Sequence, residues 1–242
     1  MALAPHGEFR LGAPLPGCQS LRRILKCLLM ASRNAALELL APFGVSLSGD
    51  QIDKLLVYVD LLMRWNRKIN LTSIRTEEEC ITRHFGESFL LSKLAPLQGR
   101  LLDIGSGAGF PGLAVKLIAP ELEVTLLEPV AKKRAFLKEA ARACDLKPVH
   151  VLGARIEEFC RSEKGPGFDI ITARAVGGLE SLVPAAEVLL KQGGIICLWV
   201  GTQQIKQVKE AAAKIEWFEP VAIPASDERR LLAGKLSRDD SA

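Results

Sequence analysis

The sequence predicts an α/β protein in which a doubly wound, mostly parallel sheet follows a small N-terminal helical subdomain. Two observations favour this class: strand-like and helix-like segments alternate from residue 100 onward, and the region before them carries helical periodicity. A third is that the last two strand-like segments, near 217–223 and 230–236, have no long helix between them. They predict a final antiparallel hairpin in a sheet of seven strands.

The chain is long enough for one α/β domain with an appendage, since it has 242 residues, of which 48% are hydrophobic. We expect an N-terminal extension, a helical subdomain and a sheet domain, at residues 1–30, 31–98 and 99–242. The extension contains four lysines and arginines against one glutamate and is expected to be loosely ordered. An organelle transit peptide stays open as the alternative for this segment.

Helical periodicity divides the region before the sheet into three predicted helices. Two of them lie within residues 31–64. The second of these is predicted because apolar residues after Ser48-Gly49-Asp50 recur three and four positions apart. The segment Thr76-Glu77-Glu78-Glu79 resembles a capping box and predicts a third helix, which runs to about Leu94. Pro96 to Gly99 is the expected junction with the sheet domain.

Strands and helices alternate in the predicted sheet domain. The strands are expected at residues 100–104, 123–128, 149–153, 168–173 and 195–200. The helices are expected at residues 111–119, 131–144, 155–162, 178–191 and 204–214. Pro120 and the Gly193-Gly194 pair are expected to end helices. In such a sheet, ligands bind at the carboxyl ends of the strands.

A glycine-rich turn after the first strand is the most informative motif of the chain. Asp103 precedes it, the glycines run Gly105-x-Gly107-x-Gly109, and Glu128 follows the second strand. Glycines let a ligand approach the main chain, and the following helix directs free N–H groups toward it. A carboxylate at Glu128 can accept both hydroxyls of a ribose. The motif therefore predicts an adenosine-cofactor site.

The charge of this motif favours S-adenosylmethionine over NAD. An acid at the strand tip suits a ligand with ammonium and sulfonium groups, whereas it repels a pyrophosphate. The final hairpin is also more typical of a class I methyltransferase than of a dehydrogenase. Two alternatives stay open. Gly107-x-Gly109-x-x-Gly112 matches the dinucleotide pattern of an NAD(P)-dependent oxidoreductase, and a turn packed for structural reasons alone has the same composition.

The end of the fourth strand lacks the motifs that usually indicate the target of methylation. Residues 168–176 contain no Asn/Asp-Pro-Pro-aromatic motif for exocyclic amines and no Pro-Cys pair for pyrimidine carbons. Guanine N7 needs neither a base nor a protein nucleophile, because its lone pair is already exposed. Arg174, at the strand tip, suits a phosphate or guanine O6 and N7. The alternative is a structural ion pair with Asp103, Glu128 or Glu157.

Two groups of basic residues could line a nucleic-acid groove in a chain whose net charge is +4. Lys132 and Lys133 start the second helix of the sheet domain, and Arg67 and Lys68 lie near the domain junction. Such runs are usually solvated helix faces, and this is the default interpretation. Glu157 can accept from an adenine amino group, or it can simply favour the positive end of its helix.

These motifs together resemble the RsmG (GidB) family of bacterial small-subunit ribosomal RNA guanine-N7 methyltransferases, over residues from about 35 to 236. The matching segments are 65–72, His84 with Glu87-Ser88, 103–112, Lys133-Arg134 with Phe136-Leu137, Arg155 with 157–159, Arg174-Ala175, and Arg229 or Arg230 with Leu231. The resemblance implies a class I methyltransferase fold with S-adenosylmethionine as cofactor. It also implies methylation of one guanine in the 530 loop of 16S rRNA.

The motifs and the resemblance together predict two sets of contacts. The expected cofactor contacts are Asp103, Gly105, Gly107, Gly109, Phe110, Glu128, Pro129, Val130, Ile156, Glu157 and Arg174. The expected RNA contacts are Arg67, Lys68, Lys132, Lys133, Arg134, Arg155 and Arg230, of which the last two are implied by the resemblance alone. Arg174 and His84 are candidates for positioning the reacting groups.

Two positions depart from the family pattern: Glu87 stands where the family usually has aspartate, and Val200 where it usually has lysine. Scattered cysteines without a CxxC pair indicate reduced thiols in the cytoplasm, and the three histidines lack metal-ligand spacing. No apolar run reaches the roughly 20 residues of a membrane span.

We expect a monomer that binds 16S rRNA or the 30S subunit and neither a membrane nor a metal. Three alternatives to this function stay open beside the oxidoreductase. They are a methyltransferase of another RNA, a methyltransferase of a small molecule, and a non-catalytic ribosome-binding module of the same fold.

Overall fold

The computed structural model describes residues 30–162, 167–224 and 226–237 of the chain. The predictions for the N-terminal extension, including the transit-peptide alternative, fall on residues 1–29 and therefore lie outside the described residues. Among the helices that are described, none is both long enough and apolar enough to cross a membrane.

Two helices open the described part of the chain, as the periodicity predicts. Helix α1 is described over residues 30–40 and is followed by a 3-10 turn at Ala41–Phe43. Helix α2, Gly49–Asn66, starts at a complete capping box. Ser48 Oγ accepts a hydrogen bond from Gln51 N at 3.2 Å, and Gln51 Oε1 accepts one from Ser48 N at 2.8 Å.

A third helical segment, α3, runs over residues 77–93 and has an irregular middle. It is α-helical at Glu77–Glu79, π-helical at Cys80–Gly86, α-helical at Glu87–Phe89 and 3-10 at Leu90–Lys93. Thr76 caps its first turn, because its side chain accepts a hydrogen bond from Glu79 N at 3.2 Å. π-helical turns occur frequently at functional sites, and this one contains His84.

The described residues form one eight-stranded, mostly parallel sheet with the order β3-β2-β1-β4-β5-β8-β6, in which β7 also pairs with β8. The strands are β1 Arg100–Ile104, β2 Glu123–Leu127, β3 Val149–Leu152, β4 Phe168–Arg174, β5 Leu190–Gly201, β6 Ile215–Trp217, β7 Val221–Ile223 and β8 Ser226–Leu236. Pairs among β1 to β5 are parallel, and β8 is antiparallel to its three partners. This is the predicted α/β class with a final antiparallel hairpin.

Short helices follow the parallel strands. They are α4 Gly112–Ile118, α5 Ala131–Ala143, α6 Ile156–Ser162, α7 Leu179–Leu189 and α8 Ile205–Glu210, the last preceded by a 3-10 turn at Thr202–Gln204. Each starts near the carboxyl end of the preceding strand, so the first turns of these helices lie at the edge of the sheet where ligands bind.

Two details differ from the predicted sheet. The strand expected near 217–223 is divided into β6 and β7, because Pro220 between them has no N–H to donate to the ladder. The Gly193-Gly194 pair does not end a helix, since α7 already ends at Leu189. The pair lies inside β5, where Gly193 has a φ of +75° and the pairing with β4 shifts its register.

The helical part and one face of the sheet share a hydrophobic core. Buried Leu55, Tyr58 and Phe85 of α2 and α3 belong to the same cluster as Leu113 of α4 and Phe136 of α5. Helices α6, α7 and α8 contribute to a second cluster with other residues of the strands. The shared core brings α2 and α3 against the loop after β1. The predicted boundary between the helical subdomain and the sheet domain, between residues 98 and 99, stays a prediction.

Candidate cofactor and substrate site

The loop between β1 and α4 carries the glycine motif and contacts the helical part. Gly105, Gly107 and Gly109 have φ values of +70°, +56° and +87°. A Cβ at Gly109 would lie 2.0 Å from Tyr58 Oη, so a larger residue does not fit there. The buried Tyr58 Oη donates a hydrogen bond to Ala108 O at 2.7 Å. Sequence reasoning missed Tyr58, because it lies in the apolar stripe of α2 and has the pattern of a core residue.

Asp103 lies beneath the loop and lines neither of the cavities that border it. Its Oδ1 accepts a hydrogen bond from Thr172 Oγ1 at 2.8 Å, and its Oδ2 accepts one from Gly112 N at 3.1 Å. Burial raises the pKa of Asp103 to about 6, although these hydrogen bonds act in the opposite direction. The carboxylate therefore anchors the start of α4, and its expected contact with a cationic ligand stays a prediction.

Glu128 holds the loop from the end of β2. Its Oε2 accepts a hydrogen bond from Gly107 N at 2.9 Å, and its Oε1 accepts one from Val130 N at 2.8 Å. The residue is only 3% exposed, yet each carboxylate oxygen keeps a further lone pair for a ligand. Arg134 Nη1 donates to the carbonyl oxygens of Glu128 and Pro129, at 3.1 and 2.6 Å. Arg134, expected to contact RNA, thus shapes the cofactor side of the site.

Two cavities lie on either side of Gly105, which lines both of them. The apolar cavity has a volume of about 150 Å³ and is lined mainly by Pro129, Ile156, Val176 and Leu182, with Arg155 and Glu157. The polar cavity has a volume of about 470 Å³ and is lined by, among others, Thr72, His84, Phe110, Lys133, Arg174 and Arg229. Of the predicted cofactor residues, Gly107, Phe110 and Arg174 line the polar cavity, Pro129, Ile156 and Glu157 line the apolar cavity, and Gly105 lines both. Asp103, Gly109, Glu128 and Val130 line neither cavity, although Glu128 accepts a hydrogen bond from Gly107 N at the polar one.

The start of α6 separates two acids that the sequence places side by side. Glu158 Oε2 accepts a hydrogen bond from Arg155 N at 3.1 Å, so Glu158 serves its own helix terminus. Glu157 lines the apolar cavity instead. Of the two acids, only Glu157 thus faces a cavity.

Arg174 lies at the end of β4 with its side chain only 12% exposed, and it makes none of the ion pairs considered from the sequence. Its Nη1 donates to Arg83 O at 2.9 Å and lies 3.6 Å from Glu87 Oε2, while its Nη2 lies 2.6 Å from His84 Nδ1. Burial lowers the pKa of Arg174 to about 10, against the opposing effect of Glu87. The guanidinium therefore stays charged at neutral pH. Ala175, directly after it, has a φ of +53°, a strained conformation for a residue with a Cβ.

His84 connects Arg174 to the loop that follows α2. Its Nε2 lies 2.8 Å from Thr72 Oγ1, and its ring stacks on Phe110 with a centroid distance of 4.4 Å and an interplanar angle of 14°. Burial, aided by the charge of Arg174, lowers the pKa of His84 well below its ordinary range. The ring is therefore neutral, and both of its nitrogens are hydrogen-bonded within the protein.

Glu87 is the buried acid of the polar cavity. It accepts two hydrogen bonds from Arg229, between Oε2 and Nη1 and between Oε1 and Nη2, both at 2.8 Å. Trp199 Nε1 donates to the Glu87 carbonyl oxygen at 3.2 Å. This pair explains the position of Glu87 in the fold, which sequence reasoning noted only as a departure from the family pattern.

Arg229 rather than Arg230 lines the polar cavity. Arg230 Nη1 donates to the carbonyl oxygens of Asp227 and Arg229, at 2.9 and 2.8 Å, and so it is engaged within its own hairpin. The sequence could not distinguish the two neighbours, because successive residues of a strand point to opposite faces. The RNA contact expected at Arg230 stays a prediction, and Arg229 is the one of the two that lines the cavity.

Three lysines form a surface beside the polar cavity. Lys133 lines that cavity and also a neighbouring one of about 230 Å³, together with Lys68 and Lys132. None of the three side chains forms an ion pair or hydrogen bond with any residue that the structure describes. We call them the lysine surface. Arg67 lies elsewhere, in a cavity it shares with Asn66, Asn70 and Arg75.

Within the described ranges, no group of three or more histidine, cysteine, aspartate or glutamate side chains is arranged to hold a metal ion. The described cysteines, Cys80, Cys144, Cys160 and Cys197, are free thiols. Burial raises the pKa of the Cys80 thiol to about 12 and that of Cys144 to about 11, so both stay protonated and unreactive near neutral pH.

Comparisons with known proteins agree on one family. The model of the family GidB, described as rRNA small subunit methyltransferase G, matches residues 51–232. The ribosomal RNA small subunit methyltransferase G of Desulfitobacterium hafniense (strain Y51) is 44% identical over 170 residues, which are 69% of this chain and 70% of that protein. The protein of the same name from Acetivibrio thermocellus is 37% identical over 206 residues, 82% of this chain and 85% of that protein.

A solved structure shows a similar fold at low sequence identity. The ribosomal protein L11 methylase from Lactobacillus delbrueckii subsp. bulgaricus aligns with a TM-score of 0.54 and 17% identity, covering 64% of this chain and 80% of that one. Because the sequence identity is low, this similarity supports the fold alone. The family match and the two relatives extend over most of this chain and therefore identify its family. The chain belongs to the GidB family, the family of rRNA small subunit methyltransferase G.

Proposed function

We propose that the chain transfers a methyl group from S-adenosylmethionine to N7 of one guanine in the 530 loop of 16S rRNA. The observation that carries this proposal is the pair of cavities that meet at Gly105, one apolar and one cationic, with the Glu128 carboxylate beside them. Membership of the family supports the same activity. We place the activity in the cytoplasm, on the 30S subunit or its RNA, and assign it to a single copy of the chain.

The two cavities fit the two ends of S-adenosylmethionine. Pro129, Ile156 and Val176 would enclose the adenine ring in the apolar cavity, and Glu157 would accept from its amino group. Glu128 would accept the ribose hydroxyls with the lone pairs that Gly107 N and Val130 N leave free. The methionine end and the target base would share the polar cavity.

When bound, S-adenosylmethionine supplies a methyl group on a positively charged sulfur, which is already activated for transfer. The protein then has no proton to remove, because guanine N7 presents its lone pair without deprotonation. The polar cavity is consistent with this requirement: neutral His84 has both nitrogens engaged, and Arg174 is a permanent cation. The side chains would therefore act by orienting the base and excluding water, which can supply several kcal/mol of the barrier.

We further propose that the lysine surface binds the phosphates next to the target guanine. Lys133 lines both the polar cavity and the adjoining cavity, so a strand that leaves the first would pass Lys68 and Lys132 in the second. Unpaired lysines are the side chains that gain most from phosphate contact, because no intramolecular ion pair has to break. Arg67 faces a different cavity and would contact RNA only outside this path.

Methylation of 30S subunits tests the proposal directly. Subunits from cells that lack this activity are incubated with the chain and methyl-labelled S-adenosylmethionine, and the rRNA is mapped by mass spectrometry. We expect 7-methylguanine at one position in the 530 loop. Binding of NADH without binding of S-adenosylmethionine would favour an oxidoreductase, and binding without methylation would favour a ribosome-binding module. If the substrate pool is treated with ribonuclease before the assay and labelled product still forms, a small-molecule substrate would be favoured.

A further inference from the structure

The hydroxyl of Thr72 ends a directed chain of hydrogen bonds that begins at Arg174. A guanidinium has donors only, so Arg174 Nη2 donates to His84 Nδ1 at 2.6 Å. The neutral ring therefore carries its proton on Nε2, and that proton is donated to Thr72 Oγ1 at 2.8 Å. Ile74 N donates to the same oxygen at 3.2 Å. Both lone pairs of Thr72 Oγ1 are thereby occupied.

The remaining hydroxyl proton of Thr72 is available to a ligand. Among the residues that the structure describes, none accepts it, and Thr72 lines the polar cavity together with Gly105 and Phe110. The backbone at this point is held in place, because buried Asn66 Oδ1 accepts hydrogen bonds from Leu71 N at 2.9 Å and Thr72 N at 3.0 Å. The polar cavity thus has a neutral donor whose orientation is set before a substrate binds.

We propose that Thr72 selects guanine over adenine by donating its hydroxyl proton to O6 of the base to be methylated. This inference rests on the proposed function, because it concerns the base that enters the same site. When N7 faces the methyl donor, O6 is the other acceptor on that edge of guanine. Adenine has the same N7 but an amino group at position 6, so a donor would meet a donor and neither would be satisfied.

A neutral donor at O6 suits this reaction better than a charged one. The N7 lone pair forms the new bond to the methyl carbon while the electrons of the breaking carbon–sulfur bond go to sulfur. The products are a cationic base and a neutral thioether, and no proton is transferred. A guanidinium in direct contact with O6 would repel the positive charge that develops on the ring. His84 and Thr72 lie between Arg174 and the base in this arrangement, so Arg174 acts as a positioning residue.

The test compares three target bases in 16S rRNA assembled into 30S particles: guanosine, inosine and 2-aminopurine riboside. All three keep N7, but 2-aminopurine lacks O6, whereas inosine keeps it. We expect the wild-type chain to methylate inosine with a kcat/KM about tenfold or more above that for 2-aminopurine. Thr72→Val should lower kcat/KM for guanosine and inosine by about tenfold and leave 2-aminopurine unchanged. Thr72→Ser, which keeps the hydroxyl, should retain the wild-type preference.

Thr82→Val is the matched control. It makes the same chemical change on α3, at a residue that does not line the polar cavity. There Thr82 Oγ1 donates a hydrogen bond to Glu78 O at 2.8 Å. It should leave all three rates unchanged, and Thr72→Val should leave the Kd for S-adenosylmethionine unchanged. A loss in Thr72→Val that is equal for the three bases would indicate a merely structural role and overturn the inference.

The wild-type comparison needs no variant, so the test stands even if Thr72→Val does not fold. Equal use of inosine and 2-aminopurine by the wild-type chain would overturn the role of Thr72 while the proposed methylation of guanine stands. Failure to methylate any of the three bases would contradict the proposed function itself, and the inference with it.

Discussion

The two cavities that meet at Gly105 are assembled in different ways. The apolar cavity is lined by the turns that follow β1, β2, β3 and β4, so each contribution comes from a local strand–turn–helix unit. The polar cavity takes Thr72 and His84 from the helical part, Arg174 from β4 and Arg229 from β8. The difference teaches that the strand–turn–helix units of the sheet can build the apolar cavity alone, whereas the polar cavity needs distant parts of the chain. Substitutions should therefore separate cofactor affinity from RNA affinity.

The largest expected effect is on the cofactor side, in Glu128→Ala. The change removes a buried carboxylate, which is the acceptor that we propose for both ribose hydroxyls, and it releases Gly107 N. We expect the Kd for S-adenosylmethionine, measured by calorimetry, to rise roughly 1,000-fold, or about 4 kcal/mol. Glu158→Ala, on an acid that serves only its own helix terminus, is the control and should change Kd less than threefold. A Kd for Glu128→Ala as close to wild type as that control would contradict the ribose role.

Glu87→Gln should affect the polar cavity and leave the cofactor side intact. It leaves Arg174, whose side chain is 12% exposed, and the half-buried Arg229 without their carboxylate partner, so the free energy of unfolding should fall by about 2 kcal/mol. RNA binding should weaken, because Arg229 loses its fixed position, while the Kd for S-adenosylmethionine should stay the same. Glu216→Gln, on an exposed acid of β6, serves as the control. Equal losses of RNA and cofactor affinity would show that the two cavities are not separable.

The lysine surface should contribute through charge alone. Lys132→Gln with Lys133→Gln should reduce the slope of log K against log salt concentration by about 1.4 for a single-stranded RNA segment. Filter binding over a salt series measures this slope. Lys206→Gln with Lys209→Gln, on α8, removes the same charge away from the cavities and should leave the slope unchanged. An unchanged slope in the Lys132→Gln, Lys133→Gln variant would identify these two lysines as part of a solvated helix face.

The smallest expected effect is a pH dependence that belongs to the polar cavity. His84 titrates in the unfolded chain near its ordinary pKa of 6.5, but its pKa in the folded chain is far lower. Below pH 6.5 the unfolded state therefore binds a proton that the folded state does not, and stability falls as pH falls. Near pH 5.5 this group should lower the free energy of unfolding by about 1 kcal/mol relative to neutral pH.

His84→Gln isolates this contribution, because a glutamine amide can accept from Arg174 and donate to Thr72 without titrating. Urea unfolding of both proteins at several pH values measures the difference. Asp103, whose pKa is raised to about 6, favours the folded state as pH falls through that value, but it is present in both proteins and cancels. Parallel pH profiles for wild type and His84→Gln would contradict the neutral, buried state of the ring.

The cofactor side was largely predictable from the sequence, because its signals are local. The glycine spacing, the strand before it and the acid after the next strand all fall within about thirty residues, and the structure places Gly105, Gly107 and Glu128 together as that pattern implies. The orientation of the Asp103 side chain was not predictable, for a physical reason. A strand-terminal acid can face a ligand or cap the next helix, and only the positions of Thr172 and Gly112 decide between the two.

The polar cavity could be predicted only in part. His84 and Arg174 were candidates, but nothing in their spacing indicates that they meet, since 90 residues separate them. Tyr58 carries no local signal of function, and Thr72 was noted only as the last residue of the segment 65–72. The choice between Arg229 and Arg230 depends on the face of β8. Contacts across the sheet and the helical part determine these positions, and no periodicity within one segment encodes them.

Tyr58 is the only tyrosine in the chain, and its hydroxyl bonds to the glycine loop. Burial raises the pKa of Tyr58 well above its ordinary range, so the phenol stays protonated while α2 and the loop remain in contact. Ultraviolet absorbance of tyrosinate in alkaline solution would therefore report one event, the separation of these two segments. The unlabelled protein thus contains its own optical probe of whether the glycine loop keeps its position.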